Sequence, residues 1–459
     1  MKHINEEKLL ALAEKRGSVP EKEVEEILKK SLSLKRLSLE EASKLLSVSD
    51  PGLLKRLFET AKEVKQRIYG KRIVLFAPLY ISNYCVNNCL YCAFRSDNRA
   101  IKRAHLSSDE IKEQTRILLK NGQKRVLVVA GEAPPPGKKN EDYYVEAIKA
   151  VYSARYKDHK IKRVNINCAP IAVEGFKKLK ASGIGTFQIF QETYHQATYK
   201  KMHPRGPKSD PDNRLDAIDR AFAAGIDDIG IGLLYGLYDY KFETLAMLSH
   251  VEHMEKIHGV GPHTISVPRI EPAEGVDFYS DHEVNDLDFK KVVSVIRLSV
   301  PYTGMILSTR ENPRLRDELL ELGISQMSAA SRTSPGGYEE SPSKSGAQFV
   351  LGDNRSLDQI MGSLVENGFI PSFCAACYRS SRTGEVFMNL AKPGTIKGKC
   401  TMNALITLKE YLDDFASESV KHKGYELIKQ ALVNLDPSDR KELSAFYEQI
   451  DSGLRDKYV

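Results

Sequence analysis

The chain has 459 residues, 41% hydrophobic and 28% charged, a balance that suits a globular enzyme with a large core. Its net charge of +7, from 68 basic against 61 acidic residues, is too small and dispersed to argue for a nucleic-acid partner. No uncharged apolar run reaches the roughly 18 residues of a spanning helix, and the opening MKHINEEKLLALAEK has no signal-peptide core. No membrane association and a cytoplasmic location are therefore expected. The seven cysteines are Cys85, Cys89, Cys92, Cys168, Cys374, Cys377 and Cys400. The number is odd and six fall in two groups, which favours metal ligation over a disulfide framework and a reducing compartment.

Residues 1–70 read as a helical cap closing one mouth of a barrel. Ser38 before LEEASKLL, with Glu40 and Glu41 in the opening turn, marks a helix start. Leu53, Leu57, Val64 and Ile68 recur along one face of the next helix, which Gly70 ends.

From Arg72 onward, short apolar runs alternate with amphipathic ones. Strands are predicted at Val74–Ile81, Arg125–Ala130, Arg163–Asn167, Gly185–Phe190, Asp228–Gly232, Thr264–Val267, Gly304–Ser308 and Ile324–Met327. Helices are predicted between them, at Ser108–Lys120, Asp142–Tyr156, Val173–Ala181, Arg214–Ala224, Phe242–His258, Leu287–Ser299 and Asn312–Glu321. Eight such units over residues 71–330 imply an α/β fold, a (β/α)8 TIM-type barrel; six would leave an open partial barrel. Residues 331–459 read as a mainly helical extension. It begins with the loop SRTSPGGYEESPSKSGAQ and carries the second cysteine group.

The first group, NYCVNNCLYCAFR, spaces Cys85, Cys89 and Cys92 as Cys-x3-Cys-x2-Cys. Three close thiolates can anchor three irons of a [4Fe–4S] cubane, leaving one iron open where four protein ligands are usual. A zinc knuckle is the structural alternative, but zinc prefers four closing ligands. The loop follows the first strand, at the barrel face where active sites gather.

With Tyr91 before the third cysteine, this motif resembles that of the radical S-adenosylmethionine (SAM) enzymes. The resemblance implies that SAM binds the open iron. Ala130-Gly131-Glu132 looks like the Gly-Gly-Glu element of those enzymes, with Ala in place of the first Gly, and would receive the methionine amino group. Against it stands an ordinary strand-to-loop turn. Glu192 would accept the ribose hydroxyls or the amino group, and Arg214 would clamp the carboxylate; a surface ion pair is the alternative for Arg214. Gly230 and Gly232 would let the adenine approach the fifth strand closely. Cys168 reads as a buried core thiol.

The segment TYHQATYKKMHPRGPKSDPDNRLDAIDRAFAAGIDDIGIGLLYGL narrows the resemblance to the radical SAM tyrosine lyases, over roughly residues 75–400. Cys374-Ala-Ala-Cys377 with the distant Cys400 again gives three ligands and an open position. This second set separates the [FeFe]-hydrogenase maturase (HydG) type from the 2-iminoacetate synthase of thiamine biosynthesis. A structural zinc site is the alternative.

The resemblance implies a second iron–sulfur cluster with an additional labile iron, for which His263 is a candidate ligand. Ser308 and Arg310, after the seventh strand, are candidate catalytic residues, Arg310 holding a substrate carboxylate. A barrel-rim salt bridge is the bland alternative for Arg310. The implied substrate is L-tyrosine, cleaved at Cα–Cβ to p-cresol and dehydroglycine, the latter converted to carbon monoxide and cyanide. The implied partners are an electron donor such as ferredoxin or flavodoxin and other hydrogenase maturation proteins. Two other readings stay open: a thiamine-pathway lyase that stops at 2-iminoacetate, and an iron–sulfur scaffold or carrier without turnover.

Overall fold

The computed structural model describes residues 1–14, 19–339 and 345–459; part of the Ser/Gly/Pro-rich loop thus lies outside the described residues. Nine parallel strands form one sheet: β1 (Arg72–Ser82), β2 (Arg125–Ala130), β3 (Arg163–Asn167), β4 (Phe187–Glu192), β5 (Ile229–Leu233), β6 (Thr264–Ser266), β7 (Gly304–Leu307), β8 (Gln326–Ser328) and β9 (Ile370–Ser372). The first eight pair in sequence order, and β1 joins β8 on one side and β2 on the other, so the barrel closes. Helices link the strands, so each crossover returns to the same sheet face. All eleven residues of β1 are buried, as expected of a parallel strand covered on both faces.

The eight barrel strands are those expected from sequence, with ends displaced by at most two residues. β1 starts two residues early because β9 pairs with it there, Arg72 to Ile370 and Val74 to Ser372. β9 was not expected. It is three residues long and contains Pro371, tolerable because it is an edge strand. The helix expected over Arg214–Ala224 is two, Pro211–Leu215 and Ala217–Ala223. Asp210 caps the first, accepting from the N–H groups of Asp212 and Asn213.

The helix Leu39–Leu46 begins with a capping box between Ser38 and Glu41. The helix Pro51–Tyr69 buries Leu53, Leu57, Val64 and Ile68 and ends at Gly70, whose φ of 62° suits glycine. The N-terminal helices lie along the barrel wall, against Tyr240–His258, Asp286–Ser299 and Pro313–Leu322. They reach the N-terminal mouth through Lys65, which donates to the Leu320 carbonyl, and Tyr69, which donates to that of Tyr302. Among the described residues no helix is long and apolar enough to cross a membrane.

The segment after β8 is fastened by a buried ion pair. Arg316 donates to Asp353 and to the Ser328 carbonyl at the end of β8, and neither charged side chain is exposed. Removing one partner strands the other charge in the interior. Asp353→Ala should therefore lower unfolding stability by about 3–5 kcal/mol, read as a shifted urea midpoint. An unchanged midpoint would mean that this pair does not hold the extension to the barrel.

Candidate active site and second cysteine centre

The backbone register of β1 against β2 slips between Tyr80 and Ser82, and the chain leaves the barrel into the cysteine loop. Two residues fix this loop. Arg103 donates to the carbonyls of Asn83, Phe94, Arg95 and Asn98, at 2.5, 2.9, 2.6 and 3.1 Å. Asn83 bonds the Lys102 carbonyl and the Ala104 N–H. The loop also lies tight on the end of β2: a Cβ on Gly131 would stand 2.1 Å from the Tyr84 carbonyl oxygen. Only glycine fits there.

Cys85, Cys89 and Cys92 line a cavity of about 210 Å³ at the C-terminal ends of the strands. Tyr91, Gly131, Glu132, Glu192, Arg214, Ser308 and Arg310 line the same cavity. Asn87 ties its parts together. Its amide donates to Glu132 Oε2 at 2.6 Å and to Cys85 Sγ at 3.6 Å, while its carbonyl accepts from the Lys208 N–H at 2.8 Å. Lys208 Nζ reaches Glu192 Oε1 at 2.6 Å and the Tyr91 hydroxyl at 3.1 Å. That hydroxyl also meets His203 Nε2 at 2.9 Å.

Glu192 closes β4 at a register shift with a φ of 71°. A non-glycine residue there stores on the order of 1–3 kcal/mol of strain, and such strain persists only where the surroundings over-determine it. Burial works against the Glu192 carboxylate, yet Lys208 and Arg214 hold it below the usual carboxylate range. Arg214 is itself anchored through its Nε on the Phe190 carbonyl, 2.5 Å away. Arg310 stacks on the Phe349 ring, 3.5 Å from guanidinium carbon to centroid. Burial lowers its pKa, while Tyr80 and Glu192 favour its charged form.

Gly230 and Gly232 are not among the residues lining this cavity. A Cβ on Gly230 would strike Gln188 and Thr264, and one on Gly232 would strike Phe190 and the Ser266 carbonyl. Glycine here allows neighbouring strands to pack closely. Cys168 is buried just past β3, and its thiol is pushed up mainly by burial.

The second trio lies at the opposite mouth. β9 runs parallel to the first residues of β1, Ile370 beside Arg72 and Ser372 beside Val74, and Cys374 follows two residues on. Cys377 sits in the short helix Ala376–Arg379, and the buried Cys400 comes from the helix Ile396–Asp414. Burial, then Cys374 and Cys400 beside it, push the Cys377 thiol up to about 12. Burial likewise pushes Cys89 of the first trio up to about 12. Cys89 and Cys377 are thus poorly placed as free thiolates and would ionise more readily against a cationic metal core, where metal binding takes the proton's place.

At this mouth Arg72 Nε and Arg125 Nε are buried without a hydrogen-bond partner, and Arg163 Nη2 meets Asp228 Oδ2 in a long buried ion pair of 4.0 Å. His263 lies in this group, its Nδ1 3.5 Å from Asp228 Oδ2 and its ring 4.1 Å from that of Phe387. Arg125 donates to the Cys374 carbonyl. This leaves spare buried donors from arginines beside the cysteines.

Sequence reasoning missed Asn87, Lys208 and the arginines of the far mouth. The last had a visible sign, since Arg72, Arg125 and Arg163 each open a barrel strand. Lys208 had none, because only folding brings it to Glu192.

The chain matches the family model of the Radical SAM superfamily over residues 79–250 and that of the Biotin and Thiamin Synthesis associated domain over residues 266–370. It is 30% identical to the 2-iminoacetate synthase of Escherichia coli (strain K12) over 348 residues, 75% of this chain and 89% of that protein. A crystal structure of HydG, a maturase of the [FeFe]-hydrogenase, superposes with a TM-score of 0.96 at 48% identity, covering 100% of both chains. The X-ray structure of the FeFe-hydrogenase maturase HydG from Carboxydothermus hydrogenoformans gives 0.83 at 41% identity, over 96% of this chain and 97% of that one. With a closed barrel, a three-cysteine loop at its catalytic face and this full-length likeness, the chain belongs to the radical SAM superfamily and, within it, to the HydG type of [FeFe]-hydrogenase maturase.

Proposed function

We propose that the protein cleaves L-tyrosine at one barrel mouth and divides the released fragment at the other, supplying carbon monoxide and cyanide for [FeFe]-hydrogenase maturation. The observation that supports this most is the pair of cysteine trios at opposite ends of β1, the far one set among buried arginines, Asp228 and His263. The full-length likeness to HydG structures favours it over the thiamine-pathway reading, since the 2-iminoacetate synthase aligns with only 75% of the chain. The cavity beside the first trio, lined by Glu132, Glu192, Lys208, Arg214 and Arg310, favours it over a carrier, which needs no substrate pocket.

Cys85, Cys89 and Cys92 would hold a [4Fe–4S] cluster, and Cys374, Cys377 and Cys400 a second cluster, with His263 as a ligand to an additional iron. With SAM bound and one electron delivered by a ferredoxin- or flavodoxin-type donor, the first cofactor pair supplies a 5′-deoxyadenosyl radical and methionine. Glu132, fixed by Asn87, would accept from the SAM amino group. Arg214 would face the SAM carboxylate, and Glu192, held ionised by Lys208, the ribose hydroxyls.

Arg310, flattened against Phe349, would bind the tyrosine carboxylate, with Ser308 beside it. Bound SAM and tyrosine would fill the cavity and limit the access of water to the radical. Tyrosine loses one hydrogen atom and its Cα–Cβ bond breaks. The aromatic half takes up one electron and one proton and leaves as p-cresol, and the other half is dehydroglycine. Dehydroglycine carries a carboxylate, which suits the unbonded Nε–H groups of Arg72 and Arg125. Its division balances as HN=CH–COOH giving CO, HCN and H2O.

The test is to incubate reconstituted protein with SAM, tyrosine and a reductant. Both p-cresol and carbon monoxide are expected; p-cresol alone supports the thiamine-type lyase, and neither product supports a carrier. Arg310→Lys should weaken tyrosine binding about tenfold, because an ammonium cannot replace a bidentate guanidinium, while SAM binding persists. Equal loss of both would assign Arg310 to SAM. Cys374→Ala with Cys377→Ala should leave p-cresol formation largely intact and remove most carbon monoxide. Carbon monoxide at the parent level would make these cysteines structural.

A further inference from the structure

Away from both cysteine sets, the outer wall carries a cluster of histidines and a carboxylate. Among the described residues, His3, Asp219 and His253 are the one set of three His, Cys, Asp or Glu side chains whose ligand atoms all lie within 4.8 Å of one another. They come from three separate segments: the N-terminal stretch, the helix Ala217–Ala223 and the helix Tyr240–His258.

The arrangement is supported from several sides. Lys2 pins the N-terminal stretch, its N–H donating to Asp212 Oδ1 at 2.6 Å and its Nζ pairing with Asp216 Oδ2 at 2.8 Å. His3 then takes a left-handed backbone, φ 62°, a conformation that side chains other than glycine rarely adopt. This brings its ring against that of His253, with centroids 4.0 Å apart and planes 21° apart. His253 Nε2 stands 3.3 Å from both oxygens of Asp219. His258 Nε2 holds Asp219 Oδ1 at 2.5 Å, its ring stacked on Phe222. Asp216 Oδ1, 3.9 Å from His3 Nε2, is buried without a hydrogen-bond partner. His250, one turn away, is committed elsewhere, since its Nδ1 bonds the Tyr194 hydroxyl.

The ligand atoms of His3, His253 and Asp219 lie within 4.8 Å of one another, and as neutral imidazoles beside a carboxylate the two histidines can share a cation. We propose that His3, Asp219 and His253 bind a divalent ion of the zinc class, with His258 orienting the carboxylate from outside. Two imidazole nitrogens and a carboxylate oxygen are ordinary zinc ligands, with bonds of about 2.0–2.2 Å. Donors around such an ion stand roughly 3.4 Å apart, so the site closes by small side-chain rotations. The histidine that bonds a ligating carboxylate is a typical outer partner. The ion would staple the N-terminal stretch to the barrel wall, using none of the seven cysteines.

The test uses full-length protein with its cysteine sets loaded with iron and sulfide, so that the thiolates are occupied. Equilibrium dialysis against Zn2+ should leave one zinc per chain. His3→Gln and His253→Gln, each checked by circular dichroism, should weaken that binding at least about tenfold. His422→Gln, at an exposed histidine elsewhere, should not. Zinc X-ray absorption should show nitrogen and oxygen neighbours only. Sulfur in the zinc shell, uptake unaffected by His3→Gln and His253→Gln, or no uptake by the folded protein would each overturn the site.

Discussion

Strand β1 is the element on which the two sites depend. It is the longest strand, and it alone pairs with three others: β2, β8 and β9. The first two contacts close the barrel; the third draws the C-terminal extension onto its N-terminal end. Ile73, Leu75, Leu79 and Ile81 are almost completely buried, each contributing about 1.5–3 kcal/mol. That interior keeps the ends of the strand fixed. One end releases the chain into the Cys85–Cys92 loop; the other lies beside the turn that leads to Cys374.

The two mouths meet the problem of buried charge differently. At the catalytic face the charges are paired within the protein: Glu192 with Lys208 and Arg214, Glu132 with Asn87. The cavity is thus organised before anything binds, as a site that must steer a radical requires. At the far mouth the Nε of Arg72 and of Arg125 is buried without a hydrogen-bond partner, beside the long Arg163–Asp228 pair. Leaving them so costs free energy, and a small anionic or zwitterionic group would offset it.

The barrel was legible because its strands are short apolar runs separated by amphipathic helices, and local periodicity carries that pattern. The three-cysteine loop was legible because its ligands are adjacent in sequence. β9 was not, since three residues including Pro371 leave no periodic trace and its pairing depends on β1. The place of Gly131 could be argued from its motif, but its necessity appears only in the approach of the Tyr84 carbonyl. Gly230 and Gly232 show the reverse: a pattern that suggested access to a ligand serves strand packing. Lys208 and Asn87 are far apart in sequence and act through Glu192 and Glu132, so no spacing rule finds them.

The central claim is that one barrel separates two iron sites by its own height. Along β1, ten steps of about 3.3 Å, tilted by roughly 36°, place the mouths roughly 25 Å apart. The most direct test is pulsed electron paramagnetic resonance on the reduced, reconstituted protein, measuring the dipolar coupling between its two clusters. Two signals with a weak coupling that corresponds to roughly 25 Å are predicted. A single cluster, or strong coupling from clusters only a few ångströms apart, would contradict the account.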